Sequence, residues 1–270
     1  LLILLPNLMK FKAKKSLGQN FLIDKNIIKR IIQEGKITAN DTVLEIGPGT
    51  GNLTEEIIKQ KPKKIILIEK DNKLSEELLL KFGNTIEIIN DDILEIEENS
   101  LSSNQILVFG NLPYNISTKI LTKWICNIKN KFWFKKLLLM FQKEVADRIV
   151  AETNTKNYGR LSVISQWKMN IKKIIDIKPY SFYPKPKILS TLLEFTPKNS
   201  FVHINDIKNL EKITKTLFNK RRKMIKNSIF NIVNKEDLSK INFNINLNFR
   251  PENIKPEEYY FLAKEIEKIN

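Results

Sequence analysis

The stretch "TVLEIGPGTGNLT" (residues 42–54) decides the fold. Its first half is an apolar run typical of a buried β-strand, and three glycines follow where that strand would end. The next residues, "NLTEEIIKQ" (52–60), have the spacing of a helix. Glycines between a strand and a helix let the backbone turn sharply and bring a ligand close to the free N–H groups of the helix N-terminus. The pattern therefore predicts a ligand-binding turn.

The glycine spacing separates two kinds of ligand. A dinucleotide fingerprint, G-x-G-x-x-G, would need glycine at position 52 or 54, where the chain has Asn52 and Thr54. The pattern present is E-x-G-x-G-x-G, with its glycines at Gly47, Gly49 and Gly51. It suits a ligand without a pyrophosphate and is typical of S-adenosylmethionine-dependent methyltransferases. On this motif alone, a glycine-rich turn without a ligand stays open.

Two further predicted strands end in acids. The strand "KKIILIE" (63–69) ends in Glu69, where a carboxylate can accept hydrogen bonds from both hydroxyls of an adenosine ribose. The strand "TIEIIND" (85–91) ends at Asp91 and Asp92, where an acid can accept from the amino group of an adenine. A glycine loop and two acids at successive strand ends predict one continuous cofactor site.

The fourth predicted strand, "QILVFG" (105–110), is followed by Asn-Leu-Pro-Tyr. Adenine N6 is a weak nucleophile because its lone pair is delocalised into the ring. The side-chain oxygen of Asn111 and the carbonyl of Leu112 can hold the N6 hydrogens and orient the lone pair, while the Tyr114 ring supports an unstacked base. Alone, the tetrapeptide is more often an Asn/Pro turn. After the cofactor residues, it predicts methyl transfer to an adenine.

The remaining pattern predicts a layered domain followed by a helical one. Asp24 is placed to cap a helix with four isoleucines on one face. Short apolar strands then alternate with helices up to "ILSTLLEF" (188–195), which indicates a parallel sheet covered on both faces. From about Asn205 helical periodicity takes over. We place the catalytic domain at 10–200 and a small helical domain at 201–270.

The amino-acid composition excludes several kinds of metal site and an internal disulfide. The 270 residues include one cysteine, Cys126, and one histidine, His203, which excludes an internal disulfide, a cysteine-cluster zinc site and a multi-histidine metal site. We therefore expect no metal. The apolar run 1–5 is too short to span a bilayer and is broken by Pro6. We expect a cytoplasmic protein without membrane association, in which the residues before Met9 are an extension with little structural role.

The net charge of +16 is concentrated in the later part of the chain. Residues 1–130 carry a net charge of +2, residues 131–200 a net of +9 and residues 201–270 a net of +5. Scattered lysines are usually solvated surface, but this distribution predicts a polyanionic partner. The predicted phosphate contacts are Lys143, Arg148, Lys156, Arg160 and, at the start of a predicted second helix of the later domain, Lys220, Arg221, Arg222 and Lys223.

Seven segments resemble, in the same order, those of the ribosomal RNA adenine N6-dimethyltransferase family, and specifically of its small-subunit branch. They are "SLGQNFL" (16–22), "EIGPGTGNLT" (45–54), "NLPYNIST" (111–118), "QKEVADRIVA" (142–151), "YGRLSV" (158–163), "YPKPK" (183–187) and "NKRRKMIKNS" (219–228). They cover nearly the whole chain from Lys10 onward, so the resemblance is highly specific.

The resemblance implies a Rossmann-like class I methyltransferase sheet with a small C-terminal α-helical domain that binds RNA, and S-adenosyl-L-methionine as cofactor. The implied reaction dimethylates N6 of two adjacent adenosines in the 3′-terminal hairpin loop of 16S rRNA, in free RNA or in a small-subunit precursor. We expect a monomer. By the resemblance Asn20 and Leu22 contact the cofactor, Gly47 lies in its loop, Glu69 binds ribose, Asp92 binds the cofactor adenine and Asn111 sits at the reaction centre.

Two rings are implied at the target base. Phe182, in "SFYPKPK" (181–187), matches the aromatic residue expected to sandwich the base opposite Tyr114. This chain has Tyr183 where the family commonly has a small residue, so which of the two neighbouring rings stacks on the base stays open.

Three other functions stay open at this point. A large-subunit rRNA dimethyltransferase of the macrolide-resistance type shares the core motifs, although the segments 142–149 and 219–228 favour the small-subunit branch. A mitochondrial-type transcription factor uses the same fold as a binding module, but the intact 111–114 site argues for catalysis. A DNA adenine methyltransferase would usually carry proline in place of Leu112.

Overall fold

The computed structural model describes residues 13–14, 17–240 and 245–269, so the prediction about the residues before Met9 lies outside the described residues. Contacts divide the chain into two units. The sheet unit comprises the described residues of 1–121, 129–146 and 172–196, and the helical unit those of 122–128, 147–171 and 197–270. The predicted limits, 10–200 and 201–270, instead assign residues 122–128 and 147–171 to the catalytic domain. The division into a catalytic and an RNA-binding domain at these limits stays a prediction.

A mixed sheet is the centre of the fold. The strands of the described residues are β1 (Phe21–Leu22), β2 (Thr42–Ile46), β3 (Lys64–Ile68), β4 (Glu87–Ile89), β5 (Ile106–Gly110), β6 (Phe134–Gln142), β7 (Met169–Ile177), β8 (Phe182–Tyr183) and β9 (Ser190–Pro197). Seven of them pair in the order β4-β3-β2-β5-β6-β9-β7, and β1 pairs with β8 in a separate antiparallel ladder.

The strand directions differ in part from the prediction. Strands β4, β3, β2, β5 and β6 run parallel to their neighbours, as predicted, but β9 is antiparallel to β6. The prediction of a parallel sheet is therefore confirmed for these five strands and wrong for β9. The reason is that an apolar run shows only that both faces of a strand are covered, and it carries no signal for the direction of the strand.

Helices accompany these strands. They are α1 (Lys25–Gly35), α2 (Asn52–Lys59), α3 (Asn72–Phe82), α4 (Ser117–Asn127), α5 (Lys143–Ile149), α6 (Arg160–Ser165), α7 (Ile207–Phe218), α8 (Lys235–Lys240) and α9 (Pro256–Ile266). Asp24 caps α1 as predicted, because its carboxylate accepts hydrogen bonds from the backbone N–H groups of Asn26 and Ile27. Among the described residues, every helix is too short or too polar to cross a membrane.

Residues 220–223 do not begin a helix, so that prediction is wrong. Helix α7 ends at Phe218, and a turn follows in which the N–H of Lys220 donates to the carbonyl of Leu217 at 3.1 Å. The N–H of Lys223 donates to the carbonyl of Lys220 at 2.8 Å. The physical reason is that a surface helix is stabilised by packing an apolar face, and four consecutive cations supply none.

All five residues of β2 are buried, and one of them is an acid. Glu45 is 2% exposed, and the hydroxyl of Thr54 donates a hydrogen bond of 2.6 Å to its Oε2. Burial raises the pKa of Glu45 to about 8, and the nearby charge of Glu69 acts in the same direction. Glu45 therefore carries a proton in the folded chain at neutral pH.

Replacing Glu45 with glutamine should remove a pH dependence of stability. The unfolded chain loses this proton near pH 4.5, whereas the folded chain keeps it until about pH 8. The folded state binds more protons across that window, so the free energy of unfolding should fall as the pH rises through it. The slope is at most about 1.4 kcal/mol per pH unit. Urea unfolding across the window measures the effect.

In this experiment the stability of Glu45→Gln relative to the parent chain should rise with pH. The control is Glu76→Gln, which makes the same substitution at an exposed position on α3 and keeps the Glu45 carboxyl in place. Parallel pH profiles for Glu45→Gln and the parent chain would show that Glu45 is ionised in the fold.

Candidate active site

A cavity of about 150 Å³ lies at the carboxyl ends of β2, β3, β4 and β5. Ligands of open α/β sheets bind at this edge, where the loops leaving the strands converge. The structure brings eight of the predicted site residues into its lining. They are Asn20, Gly47, Gly49, Glu69, Asp92, Asn111, Leu112 and Tyr114.

The glycine loop needs its glycines for two reasons. Gly47, Gly49 and Gly51 all have positive φ, at 64°, 57° and 78°, a region that disfavours other residues. A Cβ at position 49 would also lie 2.6 Å from Cδ1 of Phe21, which forms part of the cavity wall. The loop thus presents bare backbone to the cavity, as a ligand that approaches the main chain requires.

Glu69 is held rigidly at the end of β3. Its side chain is buried, with 7% of the residue exposed. Its Oε2 accepts the N–H of Gly49 at 3.2 Å and its Oε1 accepts the N–H of Asp71 at 2.9 Å. Burial raises the pKa of the Glu69 carboxyl, although these backbone hydrogen bonds oppose the shift. Each oxygen keeps a second lone pair that can accept a ribose hydroxyl.

Asp92 is an ionised acid at the end of the next strand. Lys70 Nζ lies 2.8 Å from its Oδ2, and the N–H of Leu94 donates to its Oδ1 at 2.9 Å. Burial acts to raise the pKa of Asp92, but the hydrogen bonds from Lys70 and Leu94 and the positive charges of Lys70 and Lys119 together hold the pKa below its usual value. Asp91 also lines the cavity, so the assignment of the cofactor adenine to Asp92 stays a prediction.

Sequence reasoning missed the group that holds the N-terminal segment in place. Asp71 is buried, and its oxygens accept Lys14 Nζ at 2.8 Å and Gln19 Nε2 at 2.9 Å. The same carboxylate caps helix α3 through the N–H of Lys73. Burial acts to raise the pKa of Asp71, but the hydrogen bonds from Lys14 and Gln19 hold it below its usual value. The signal available in the sequence was the position of Asp71 directly before helix α3, where an aspartate can cap the helix.

The orientation of the Asn111 amide is set by the N-terminal segment. Its Nδ2 donates a hydrogen bond of 2.7 Å to the backbone carbonyl of Asn20. The amide nitrogen is therefore committed, and Oδ1 is the end that can accept from a ligand in the cavity. Nearby, the Tyr114 hydroxyl and Ser190 Oγ lie 2.5 Å apart, and this hydrogen bond anchors the end of the tyrosine side chain.

Three predicted residues do not line the cavity. Gly51 is buried against Phe82, so its place is in building the turn. Leu22 and Phe182 are paired in the β1–β8 ladder, and both side chains lie in the hydrophobic core. Phe182 is only 2% exposed, so its ring does not face a base in this conformation. The stacking role of Phe182 stays a prediction.

In the helical unit, Arg221 is engaged within the chain. Its Nε donates to Glu252 at 2.9 Å, and its two terminal nitrogens donate to the carbonyls of Lys156 at 2.6 Å and Thr155 at 2.9 Å. Each of the three guanidinium nitrogens thus donates a hydrogen bond, and together they join the turn at Arg221 to residues 155–156 and to Glu252. Exposed cations surround it in an open depression of about 690 Å³; they are Lys156, Lys220, Arg222, Lys223 and Arg250.

The other cations predicted to bind phosphate lie at the surface or partly buried. Lys143 is 3.6 Å from Asp176 in the sheet unit, and Arg160 is 3.6 Å from Glu211 in the helical unit. Arg148 is exposed. An ion pair of this length at a surface is weak, so the pair with Glu211 does not prevent Arg160 from binding a phosphate.

The sheet order, the glycine loop after β2 and the acids after β3 and β4 define a class I S-adenosylmethionine-dependent methyltransferase. A family model described as ribosomal RNA adenine dimethylase matches residues 10–268. The chain belongs to the ribosomal RNA adenine dimethylase family, whose members methylate adenine N6 in rRNA with S-adenosyl-L-methionine as the methyl donor.

Individual relatives agree with this assignment. The chain is 56% identical to the ribosomal RNA small subunit methyltransferase A of Pelagibacter ubique, over 97% of this chain and 99% of that protein. It is 42% identical to the protein of the same name from Wolbachia sp. subsp. Drosophila simulans, over 95% of this chain and 94% of that protein. A crystal structure of a dimethyladenosine transferase from Plasmodium falciparum superposes with a TM-score of 0.75 at 27% identity, covering 92% of this chain and 98% of that one.

A second solved structure shows the fold alone. The 23S rRNA methyltransferase ErmE superposes with a TM-score of 0.66 at 21% identity, covering 92% of this chain and 100% of that one. At this identity the similarity does not extend to the substrate, so it gives no support to a large-subunit target.

Replacing Glu69 with alanine should weaken cofactor binding strongly. The predicted ribose hydroxyls would lose two acceptors on a charged group, which corresponds to a rise in Kd on the order of 100-fold. Isothermal titration calorimetry with S-adenosyl-L-methionine measures it, with Glu76→Ala on α3 as the matched surface control. An unchanged Kd for Glu69→Ala, in a variant that melts like the parent chain, would place the ribose elsewhere.

Proposed function

We propose that this chain dimethylates N6 of two adjacent adenosines in the 3′-terminal hairpin loop of small-subunit rRNA. The small-subunit methyltransferases at 56% and 42% identity support the choice of RNA. The observation that carries the chemistry is the hydrogen bond from Asn111 Nδ2 to the carbonyl of Asn20, because it leaves the amide oxygen to accept from the substrate. We propose that the chain acts as a cytoplasmic monomer, on free rRNA or on an assembling subunit.

The residues after β5 supply orientation to a weak nucleophile. Oδ1 of Asn111 accepts one N6 hydrogen and the backbone carbonyl of Leu112 accepts the other, which directs the N6 lone pair along the line of attack. When bound, S-adenosyl-L-methionine supplies an electrophilic methyl group on a sulfonium. With the cofactor bound, N6 would take this methyl as the sulfur keeps the bonding electron pair, and the proton would leave N6 for solvent. No strong base is needed, because the methylated cation is acidic.

The second methylation uses the same acceptors differently. After the first transfer N6 keeps one hydrogen, so a single acceptor suffices to orient the lone pair, and the first methyl takes the place of the other hydrogen. Tyr114 is suited to hold the base throughout, because its hydroxyl is tied to Ser190 and burial raises its pKa, which keeps the phenol neutral. A neutral ring face stacks on any base.

The exposed cations support RNA binding. We propose that Lys220, Arg222 and Lys223 bind phosphates, together with Lys156, Arg148, Arg160 and Lys143. Arg221, which was predicted to contact phosphate with its neighbours, has its donors directed at Glu252 and two carbonyls. Its proposed contribution is to hold the depression in shape while its neighbours meet the RNA.

Purified chain, S-adenosyl-L-methionine and undermethylated small-subunit rRNA should give N6,N6-dimethyladenosine at two neighbouring positions. Nuclease digestion with mass spectrometry measures the product. Asn111→Ala should lower the single-turnover rate by at least about 100-fold while both ligands stay bound, because orientation acts mainly at the transition state. The control is Asn104→Ala, an exposed asparagine in the loop before β5. Exclusive monomethyl product, or methylation of large-subunit rRNA instead, would contradict the proposal.

Arg221 and Arg222 should separate stability from RNA binding. Arg221→Lys keeps the charge but cannot make the three hydrogen bonds, so it should destabilise the chain by about 1–2 kcal/mol. Arg222→Ala should leave the melting temperature unchanged and lower the salt dependence of RNA binding by roughly 0.7–0.9 log units for each phosphate that is no longer neutralised. Thermal melts and RNA titrations against salt measure both. A normal melt for Arg221→Lys would show that its hydrogen bonds contribute little.

A further inference from the structure

We infer that residues 178–188 form a stacking platform for the unpaired RNA nucleotide next to the adenosine in the active site, with Tyr183 as its central ring. The inference rests on the proposed function, since the nucleotide belongs to the RNA that this function methylates. The platform is a second nucleobase site, separate from the one that holds the reacting adenine against Tyr114.

The β1–β8 ladder places Tyr183 on the same side as the active site. Its register pairs Phe21 with Tyr183 and Leu22 with Phe182. Directly paired side chains share one face of a ladder, and successive residues alternate between the faces. Leu22 and Phe182 both enter the hydrophobic core, whereas Phe21 lines the active-site cavity. The Tyr183 side chain therefore projects on the cavity side of the ladder. Its Cβ is expected to lie about 5 Å from the Cβ of the wall residue Phe21, the usual spacing of directly paired residues.

Tyr183 is exposed where Phe182 is buried. Tyr183 is 38% exposed, and Tyr180, two residues before β8's first position, is 62% exposed. The ammonium of Lys178 lies 5.8 Å from the centre of the Tyr180 ring, a cation–π distance. Two solvent-facing aromatic rings thus lie on one short segment, and one of them, Tyr183, pairs with the cavity-wall residue Phe21. Exposed rings of this kind are the surfaces on which unstacked bases rest.

The charge of the segment identifies the occupant as a nucleic acid. Lys178, Lys185 and Lys187 are all exposed, and between Asp176 and Glu194 the chain has no acidic residue. Aromatic faces interleaved with lysines are the combination that binds single-stranded RNA, in which bases stack and phosphates pair with cations. An acidic protein surface would pair with the lysines but would not stack on the rings. A purely apolar protein surface would pack on the rings but would leave the lysines without partners.

The geometry of the reaction requires such a place. Two adjacent adenosines are methylated in turn, and when one of them enters the cavity its neighbour loses a stacking partner. An exposed ring paired with the cavity wall, as Tyr183 is, offers a replacement stacking partner, and the stacking energy favours the extruded state. Stacking is indifferent to the identity of the base, so the same platform can serve either neighbour.

The test uses an RNA hairpin of the small-subunit 3′ sequence with 2-aminopurine beside the target adenosine. Binding to the parent chain should quench its fluorescence through stacking. Tyr183→Ala should weaken hairpin binding and raise the RNA KM on the order of 10-fold, with cofactor Kd unchanged. Tyr183→Phe should behave like the parent, because stacking needs the ring and not the hydroxyl. Phe261→Ala removes another exposed ring, on α9 and outside the lysine-rich segment, and should have no effect.

The outcomes separate the platform from the proposed function. Unchanged quenching and KM for Tyr183→Ala, with normal dimethylation, would overturn the platform and leave the function intact. Equal losses in Tyr183→Ala and Phe261→Ala would also overturn it, because the effect would not be specific to this segment. If Tyr183→Ala loses quenching but the parent chain methylates no adenosine in this loop, the platform holds and the proposed reaction fails.

Discussion

The carboxylate of Glu69 connects the parts of the active site. It accepts the N–H of Gly49 and the N–H of Asp71, so the glycine loop and the start of helix α3 are fixed to the end of β3. Asp71 in turn accepts Gln19 from the N-terminal segment. That segment carries the Asn20 carbonyl, which orients the amide of Asn111. Through this chain of hydrogen bonds a cofactor-binding acid and the reaction centre are positioned by the same framework.

The acids of the site differ in environment, and the differences suit different tasks. Burial raises the pKa of Glu69, whereas the pKa values of Asp71 and Asp92 are held low by their partners. Asp71 stays ionised because Lys14 and Gln19 donate hydrogen bonds to its carboxylate. Glu45, behind the loop, is neutral and contributes a hydrogen bond with Thr54 in place of a charge. A buried negative charge there would repel Glu69.

Arg221 shows how a cluster of like charges can contain one residue with a different task. Its neighbours Lys220, Arg222 and Lys223 are exposed, and on sequence alone the four are equivalent. The guanidinium of Arg221 joins Glu252 to the carbonyls of Thr155 and Lys156. Its partners lie 31, 66 and 65 residues away in the chain, so no local pattern could have indicated them.

By itself the sequence determined the strands and helices that form the sheet unit, the glycine loop, and the polar residues that meet at the strand ends. These follow from periodicity, capping and turn chemistry, which act over a few neighbouring residues. Only the tertiary structure decided that β9 runs antiparallel, that Asp71 secures the N-terminal segment, and that Tyr183 is exposed where Phe182 is buried. Each of these depends on a partner distant in the chain, and a distant partner leaves no periodic signal in the sequence.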